Sequence, residues 1–329
     1  MLGACSLAAI FPVLLGASIL FAASNQRMHF TPKFVSGEVL RYQVDMRTVS
    51  TGNTTTPIAN PEGQTKVSQT ISLLVRLEVL GSAPTSAAAP PQTRFRVTYE
   101  KSSAQSESDA FNPDAPSLED QYSKLEGGSI EFTLLPEGHL AEIRGLEDIF
   151  PQRSETDPIL SWVQAVSIAA RLPREGITLA QKWSDERPLP GGPLADLFWR
   201  TQSTYLRDDT CGPAKAMVGQ SPSPHSSTDS CAVILTHFEI LRHGSPESNA
   251  TPQEYLRNGL RTSGSWTGSG ESLDSISLAT GLLESSTQTS TQKMDYQIIS
   301  AATGSRIHHV AQVESQSEIR LVSAPAGSP

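Results

Sequence analysis

The sequence predicts a mainly β protein, a β-rich α+β chain built as a strongly curved antiparallel sheet or half-barrel with one principal helix packed on it. Two observations carry this prediction. Apolar and polar residues alternate with a period of two through most ordered stretches, as in LRYQVDMRT at residues 40–48, and this alternation is typical of strands with one face in water. Only DPILSWVQAVSIAARLP, at residues 157–173, has the convincing apolar spacing of an amphipathic helix.

The chain opens with an uncharged apolar stretch from Leu2 to Ala23, which is typical of a membrane-directed segment. Small residues precede Asn25, so we expect residues 1–24 to be a signal peptide that is cleaved after Ser24. The alternative is an uncleaved N-terminal membrane anchor, which would keep this segment in contact with the membrane. It is favoured by the lack of basic residues before the apolar stretch and their presence after it, beginning at Arg27.

The motif LGAC at residues 2–5 is similar to a bacterial lipobox, in which Cys5 would be lipidated. A lipobox closes an apolar run, whereas this run begins there. We therefore interpret the motif as a chance occurrence.

The rest of the chain is predicted to form one β-rich domain at residues 25–322, either continuous or divided into two sub-lobes near residues 150–175. Residues 323–329 are expected to be a disordered tail. The 329-residue chain carries a formal net charge of −9, which offers little attraction to phosphate backbones and argues against nucleic acid as a partner.

Strand signals recur along this domain. The sequence SIEFTLLPEGHLAEI (129–143) predicts a hairpin that turns at residues 136–138. The long stretches 281–300 and 305–322 predict a second hairpin, with Ile307, His309, Ala311, Val313, Ile319 and Leu321 on the inward face. The remaining predicted strands are ISLLVRLEVL (71–80), TRFRVTYE (93–100), STYLRD (203–208) and CAVILTHFEILRH (231–243), the last covered on both faces.

The principal helix is expected to begin with Asp157 as N-cap and Pro158 at the first helical position, and to end before Pro173. Its apolar stripe consists of Ile159, Trp162, Val163, Val166 and Ala169. Shorter helical turns are predicted in PLADLFW (193–199) and TPQEYLRNGL (251–260).

Cys211 and Cys231 are the two cysteines that remain after cleavage of the leader. An even count in an exported chain suggests a disulfide bond, and the polar, turn-rich segment between the two suits a loop tied at its base. The alternative is two unrelated thiols.

No motif for a catalytic, cofactor-binding or metal-binding residue is found: GxSxG, HExxH, Rossmann and phosphate-loop patterns are missing. We interpret Gly264, Gly268 and Gly270 as bulge or close-packing positions of a strand. His237 and His309, each within a strand, are interpreted as hydrogen-bonded core histidines, with a cavity-lining role as the alternative for His309. The sequence therefore predicts a protein that is not an enzyme.

A curved sheet could instead leave an apolar ligand cavity on its concave face. Its candidate lining residues are Phe132, Leu134, Trp162, Trp266, Met294 and His309.

Four segments carry a family resemblance: GEVLRYQV, GGSIEFTLLPEGHL, LPREGITLAQKW and WTGSGESLDSISLATGLL. In these segments the chain resembles uncharacterised exported bacterial β-sheet proteins, in which a glycine commonly stands two or three residues before the tryptophan of the third segment. Ala180 stands near that place here. More loosely, the chain is similar to the lipoprotein-carrier type of periplasmic protein, which implies acyl chains held in a concave sheet.

These observations favour an exported protein of the periplasm or the extracellular space that binds a lipid, another apolar ligand or a partner segment in a curved sheet. The first alternative is a structural or interaction protein whose partner is another envelope protein. The second is a hydrolase without a recognisable motif.

Overall fold

Within the residues that the structure describes, eleven antiparallel strands form one open sheet, and the predicted mainly β fold class is confirmed. The computed structural model describes residues 27–55, 65–83, 92–109, 117–136, 138–149, 162–163, 165–189, 192–211, 229–244 and 251–322. The leader with Cys5, the helix start at Asp157 and Pro158, and the tail 323–329 lie outside these residues.

The strands are β1 Val39–Thr55, β2 Thr65–Ala83, β3 Gln92–Ser108, β4 Ser129–Leu134, β5 Leu140–Arg144, β6 Lys182–Pro188, β7 Leu197–Thr210, β8 Ser230–Arg242, β9 Leu260–Ser277, β10 Leu283–Ser300 and β11 Arg306–Val322. Short α-helices are α1 Leu118–Ser123, α2 Leu146–Ile149 and α3 Gln253–Arg257, and a 3-10 helix spans Ile168–Arg171. Both predicted hairpins, β4–β5 and β10–β11, are present.

The sheet has the order β5-β4-β3-β2-β1-β11-β10-β9-β8-β7-β6. It therefore consists of two arms of successive hairpins, β1–β5 and β6–β11, which join where β1 pairs with β11. In that pairing Tyr42 lies opposite Leu321 and Val44 lies opposite Ile319. Since β5 and β6 are the two edges, the segment that connects them must cross from one side of the sheet to the other.

The hydrophobic core lies on one face of the sheet, here called the core-side face. Alternation places Tyr42 and Val44 of β1 on this face, and both are fully buried. Their neighbours Arg41, Gln43 and Asp45 point to the opposite face, here called the outer face, and are only partly buried. Burial of one face and hydration of the other is what the period-two pattern predicts.

The connection between the two edge strands covers the core. Trp162, Val163, Val166 and Ala169 are buried against the sheet, as the predicted apolar stripe requires. Residues 162–163 and 165–166 are helical, and the segment then tightens into the 3-10 helix. The crossing segment is thus the element that gives the sheet a second layer.

An N-terminal strap, residues 27–38, closes the core from another side. Met28 and Ile177 exchange two backbone hydrogen bonds of 2.8 and 2.9 Å. The ring of Phe34 packs edge-on against Phe95 at a centroid distance of 4.8 Å. The strap therefore links the start of the described chain to the crossing segment and to β3.

Ala180, at the end of the crossing segment, has a backbone φ of 62°. This left-handed conformation costs a residue with a Cβ about 1–2 kcal/mol and favours glycine. The position near which the resembling proteins commonly carry glycine is therefore a turn with a glycine-type backbone.

Beyond the core, the long strands continue as a sheet with both faces open to solvent. In the stretches 260–273, 287–300 and 306–318, most residues are exposed or half-exposed on either face, with Thr262 and Ala311 as the buried exceptions. We call these stretches the distal part of the sheet. In the distal part a residue on the core-side face is therefore not always buried. Ile307 lies on that face as predicted, and it is 39% exposed.

Three local expectations from the sequence have mixed outcomes. The helical turn in 251–260 is present as α3. The helical turn in 193–199 is wrong, because β7 begins at Leu197 and pairs there with Arg242 of β8. The apolar run of β8 is buried on both faces only from Cys231 to Ile234, and from Leu235 onward it alternates.

Cys211 and Cys231 are a disulfide-capable pair, joined in the structure with their Cα atoms 5.0 Å apart. They tie the end of β7 to the start of β8. None of the described helices is long and apolar enough to cross a membrane.

Replacing both cysteines by serine is expected to lower the free energy of unfolding by about 3 kcal/mol, because the bond restricts the unfolded chain over a closed loop of this size. Urea denaturation of the oxidised wild type and of the Cys211→Ser/Cys231→Ser variant measures the difference. A reducing agent should destabilise the wild type and leave the variant unchanged. Equal stability of the two proteins would contradict the prediction.

Candidate functional site

Beyond the main core, the core-side face carries a group of half-exposed apolar and aromatic side chains, some of which pack against a small second cluster of Leu194, Leu197 and Ile240. We call this group the aromatic strip, and it consists of Trp199, Phe238, Trp266, Met294, Tyr296 and His309. Strand register places them on one face of β7–β11. Trp266 lies opposite Met294, and Tyr296 lies opposite His309.

Ring contacts organise the aromatic strip. Trp199 and Phe238 meet edge to face, with centroids 5.3 Å apart, and Tyr296 packs against His309 at 5.0 Å. Trp266 donates its indole N–H to Oε1 of Gln292 at 3.1 Å. Such contacts hold large rings in defined positions on a surface that solvent still reaches.

Glycines allow the backbone to approach the rings closely, at Gly270 within β9 and at Gly192 in the connection between β6 and β7. A Cβ on Gly270 would stand 2.5 Å from Cζ of Phe238, and one on Gly192 would stand 2.8 Å from Cζ3 of Trp266. A Cβ on Gly268 would likewise stand only 3.0 Å from side-chain atoms of Ile240 and Gln292. The interpretation of Gly268 and Gly270 as close-packing positions therefore agrees with the structure.

His309 is half-exposed at the end of the strip rather than part of the core. Its Nδ1 lies 2.8 Å from the hydroxyl of Thr54, so the predicted hydrogen bond exists at a site that water reaches. Partial burial holds the pKa of His309 below its usual value, and the charge of the neighbouring His308 lowers it further. Desolvation likewise raises the pKa of Tyr296.

The structure does not bring the six candidate cavity residues together. Phe132, Leu134 and Trp162 are buried in the packed core. Trp266, Met294 and His309 lie in the aromatic strip of the distal part. Three of the six residues proposed from the sequence therefore lie in the aromatic strip, and three lie in the packed core.

The outer face carries a large open concavity of about 1080 Å³, here called the polar trough. It extends over β6–β11. Its lining residues are Ser184, Glu186, Arg200, Gln202, His237, Phe238, Glu239, Ser269, Gly270, Glu271, Thr289, Ser290, Thr291, Glu314, Ser315 and Gln316.

Charged side chains of the trough pair with one another. Arg200 lies 3.3 Å from Glu186 and 3.6 Å from Glu239, and Nδ1 of His237 lies 3.7 Å from Glu271. The side chain of His237 is 56% exposed. Its interpretation as a core histidine is therefore wrong, because the strand turns this position to the outer face.

Glu186 also contacts His243 through Nε2. This hydrogen bond, with a further one from Arg200, lowers the pKa of Glu186. Among the described residues, no group of three or more His, Cys, Asp or Glu side chains is placed to hold a metal ion. The trough therefore offers hydrogen bonding and paired charge.

Sequence reasoning missed the trough. The polar outward positions of β11, such as Glu314 and Gln316, were visible as alternation. Their partners come from five other strands, and only the strand register brings them into common rows. Register is set by pairing and turn geometry across the whole sheet.

Comparisons with known proteins give no family. No family model matches the chain, and no curated protein matches it. A search of solved structures finds the outer membrane protein OprG from Pseudomonas aeruginosa, with 10% identity and a TM-score of 0.19, covering 90% of this chain and 99% of that chain. It also finds the transport unit of the autotransporter AIDA-I from Escherichia coli, with 7% identity and a TM-score of 0.24, covering 86% and 90% respectively. Scores this low do not establish a common fold.

Proposed function

We propose that the protein is exported and acts as a non-enzymatic binding protein of the cell envelope, which holds an apolar ligand or the apolar side chains of a partner segment against the aromatic strip. The observation that carries this proposal is the continuation of the core-side face past the core. There Trp266, Met294 and Tyr296 remain half-exposed, although their alternation is the same as that of buried strand positions.

Hydrophobic burial supplies the driving force. Covering about 200 Å² of apolar surface contributes about 5 kcal/mol before the loss of ligand freedom is counted. The strip is an open surface on a sheet, so a long or flat ligand would cover more of it than a compact one. An acyl chain or an extended apolar segment fits this description.

Two features support export. The apolar stretch at residues 1–24 has the composition of a signal peptide. Cys211 and Cys231 form a disulfide in the structure, and such bonds persist in oxidising compartments.

Native mass spectrometry of the protein purified from its own host, without detergent, tests the proposal. We expect a chain that begins at Asn25, lacks two thiol protons and carries an apolar adduct. Replacement of Met294 and Tyr296 by serine should reduce adduct occupancy about tenfold, because it removes contact area from the strip.

The matched control is Lys293→Ser/Gln297→Ser, two outer-face positions of the same strand, which should keep the adduct. If wild type and strip variant carry the same adduct, or if both are free of it after incubation with oleate, the ligand proposal fails. A mass that retains Met1 would contradict cleavage.

A structural or interaction protein of the envelope is the second candidate. It is favoured by the distal part, where both faces of a wide sheet are open to solvent. Cross-linking in intact cells that captured an envelope protein at Tyr296 and yielded no lipid would support this candidate over the first. Capture of lipid alone would count against it.

A further inference from the structure

The polar trough is separate from the aromatic strip because it occupies the opposite face of the sheet. Strand register arranges its side chains in two parallel rows. One row runs Ser184, Gln202, His237, Glu271, Thr289, Gln316 across β6–β11. The second row begins at Glu186 of β6 and ends at Glu314 of β11. On each strand its residue stands two positions from the residue of the first row.

Each row presents hydrogen-bonding groups at a regular spacing. Neighbouring strands lie about 4.8 Å apart, so a row across six strands extends about 24 Å. Gln202 and Gln316 carry amides that both donate and accept, and the hydroxyls of Ser184 and Thr289 do the same. A ligand along the row meets a donor or an acceptor at every strand.

The trough carries four carboxylates, those of Glu186, Glu239, Glu271 and Glu314, against the guanidinium of Arg200 and the imidazole of His237, so its charge is net acidic. Arg200 lies between Glu186 and Glu239, and His237 faces Glu271. These planar side chains are about half-exposed and keep further hydrogen-bonding positions open to solvent. A strongly anionic ligand would be repelled by these carboxylates, whereas the hydroxyl groups of a neutral ligand can donate hydrogen bonds to them.

An apolar ligand would find little to contact in the trough. Among the described residues of its lining, Phe238 alone is aromatic, and its ring tip lies over Gly270 on the core-side face. Hydrogen bonds to the ligand must therefore supply the specificity of this surface.

The geometry points to a second binding site in the polar trough for a neutral polyhydroxylated chain, that is, a linear oligosaccharide lying across β6–β11. Sugar hydroxyls both donate and accept, as the amides and hydroxyls of the rows do. The rigid sheet holds these groups in place before binding, which reduces the ordering cost. This inference goes beyond the proposed function, because it concerns another face and another ligand class.

Isothermal titration calorimetry with neutral oligosaccharides of about six residues, from the cello-, malto- and chito- series, tests this site. We expect at least one series to bind with a Kd of about 1 mM or tighter. The Gln202→Ala/Gln316→Ala variant should weaken binding about tenfold, since it removes two side-chain hydrogen-bonding groups. The His237→Ala/Glu271→Ala variant, which removes both members of a pair, should weaken it similarly.

The matched control is Gln69→Ala/Gln288→Ala, two glutamines on the core-side face of the same sheet, which should bind as the wild type does. If all three series fail to bind the folded wild type at about 10 mM, the inference is overturned. It is also overturned if the trough variants bind unchanged, or if spermine binds at the trough in place of sugar. Failure of this site would leave the adduct experiment on the aromatic strip unaffected.

Discussion

Replacement of Trp162 by alanine is expected to lower the free energy of unfolding by about 3–5 kcal/mol, in the range found for large aromatic residues removed from cores. Trp162 is 1% exposed and belongs to the main core cluster. It lies on the crossing segment, which packs on the core-side face of the sheet. Its removal therefore leaves a cavity at the contact between the layers.

Urea denaturation followed by circular dichroism measures this loss. Trp162→Phe should lose less than Trp162→Ala, because it retains an aromatic ring in the cavity. Val35→Ala, at a position that is 65% exposed, should change stability by no more than about 0.5 kcal/mol. A loss of less than about 1 kcal/mol for Trp162→Ala would contradict the packing of the crossing segment on the sheet.

Replacement of Asp274 by alanine is expected to lower the free energy of unfolding by about 3–5 kcal/mol, because it removes one member of a buried polar group. Asp274 is 2% exposed on β9. It accepts hydrogen bonds from Ser272 at 2.9 Å and Ser286 at 2.6 Å. The nearby Arg171 is partly buried, and desolvation lowers its pKa to about 10.

The pH dependence of Asp274 has the opposite sign to that of a salt-bridged surface carboxyl. Burial raises its pKa, while the two serine hydrogen bonds and the charge of Arg171 oppose the rise. The folded state therefore binds this proton more tightly than the unfolded state. Its contribution to stability grows as the pH falls through the raised pKa and is lost as the pH rises.

Comparison of wild type with Asp274→Asn isolates this effect. The asparagine is close in shape and does not titrate, so the stability of the wild type relative to the variant should increase as the pH falls from about 7 towards about 4, the ordinary pKa of an aspartate. Ser272→Ala, which removes one hydrogen bond to the carboxylate, should retain the pH dependence. A wild type minus Asp274→Asn difference that stayed constant over this range would contradict a raised pKa.

The sequence predicted the direction of side chains better than their environment. In β11 the alternation assigned Ile319 and Ile307 to the same face, and register agrees. Ile319 is 4% exposed and Ile307 is 39% exposed. The period of two is a property of the strand alone, whereas burial depends on how far the crossing segment reaches over the sheet.

Tertiary pairing also decided the local structure around residue 197. PLADLFW has helix-compatible residues, yet Leu197 pairs with Arg242 and begins a strand of 14 residues. The backbone hydrogen bonds between β7 and β8 outweigh the weak local preference of this segment for a helix. The polar trough was hidden for a related reason, since His237 and Glu271 become neighbours only through the register of β8 and β9.

The pairing of β1 with β11 has a consequence for the order of events during synthesis. Within each arm, a strand can pair soon after its neighbour leaves the ribosome, but β1 must wait for the last strand of the sheet. Until then β1 presents an open edge through residues such as Val44, whose partner Ile319 is made near the end. Long-range pairing of this kind is slow, and open edges attract other chains. The half-made protein is therefore most exposed to aggregation along the line that becomes the middle of its finished sheet.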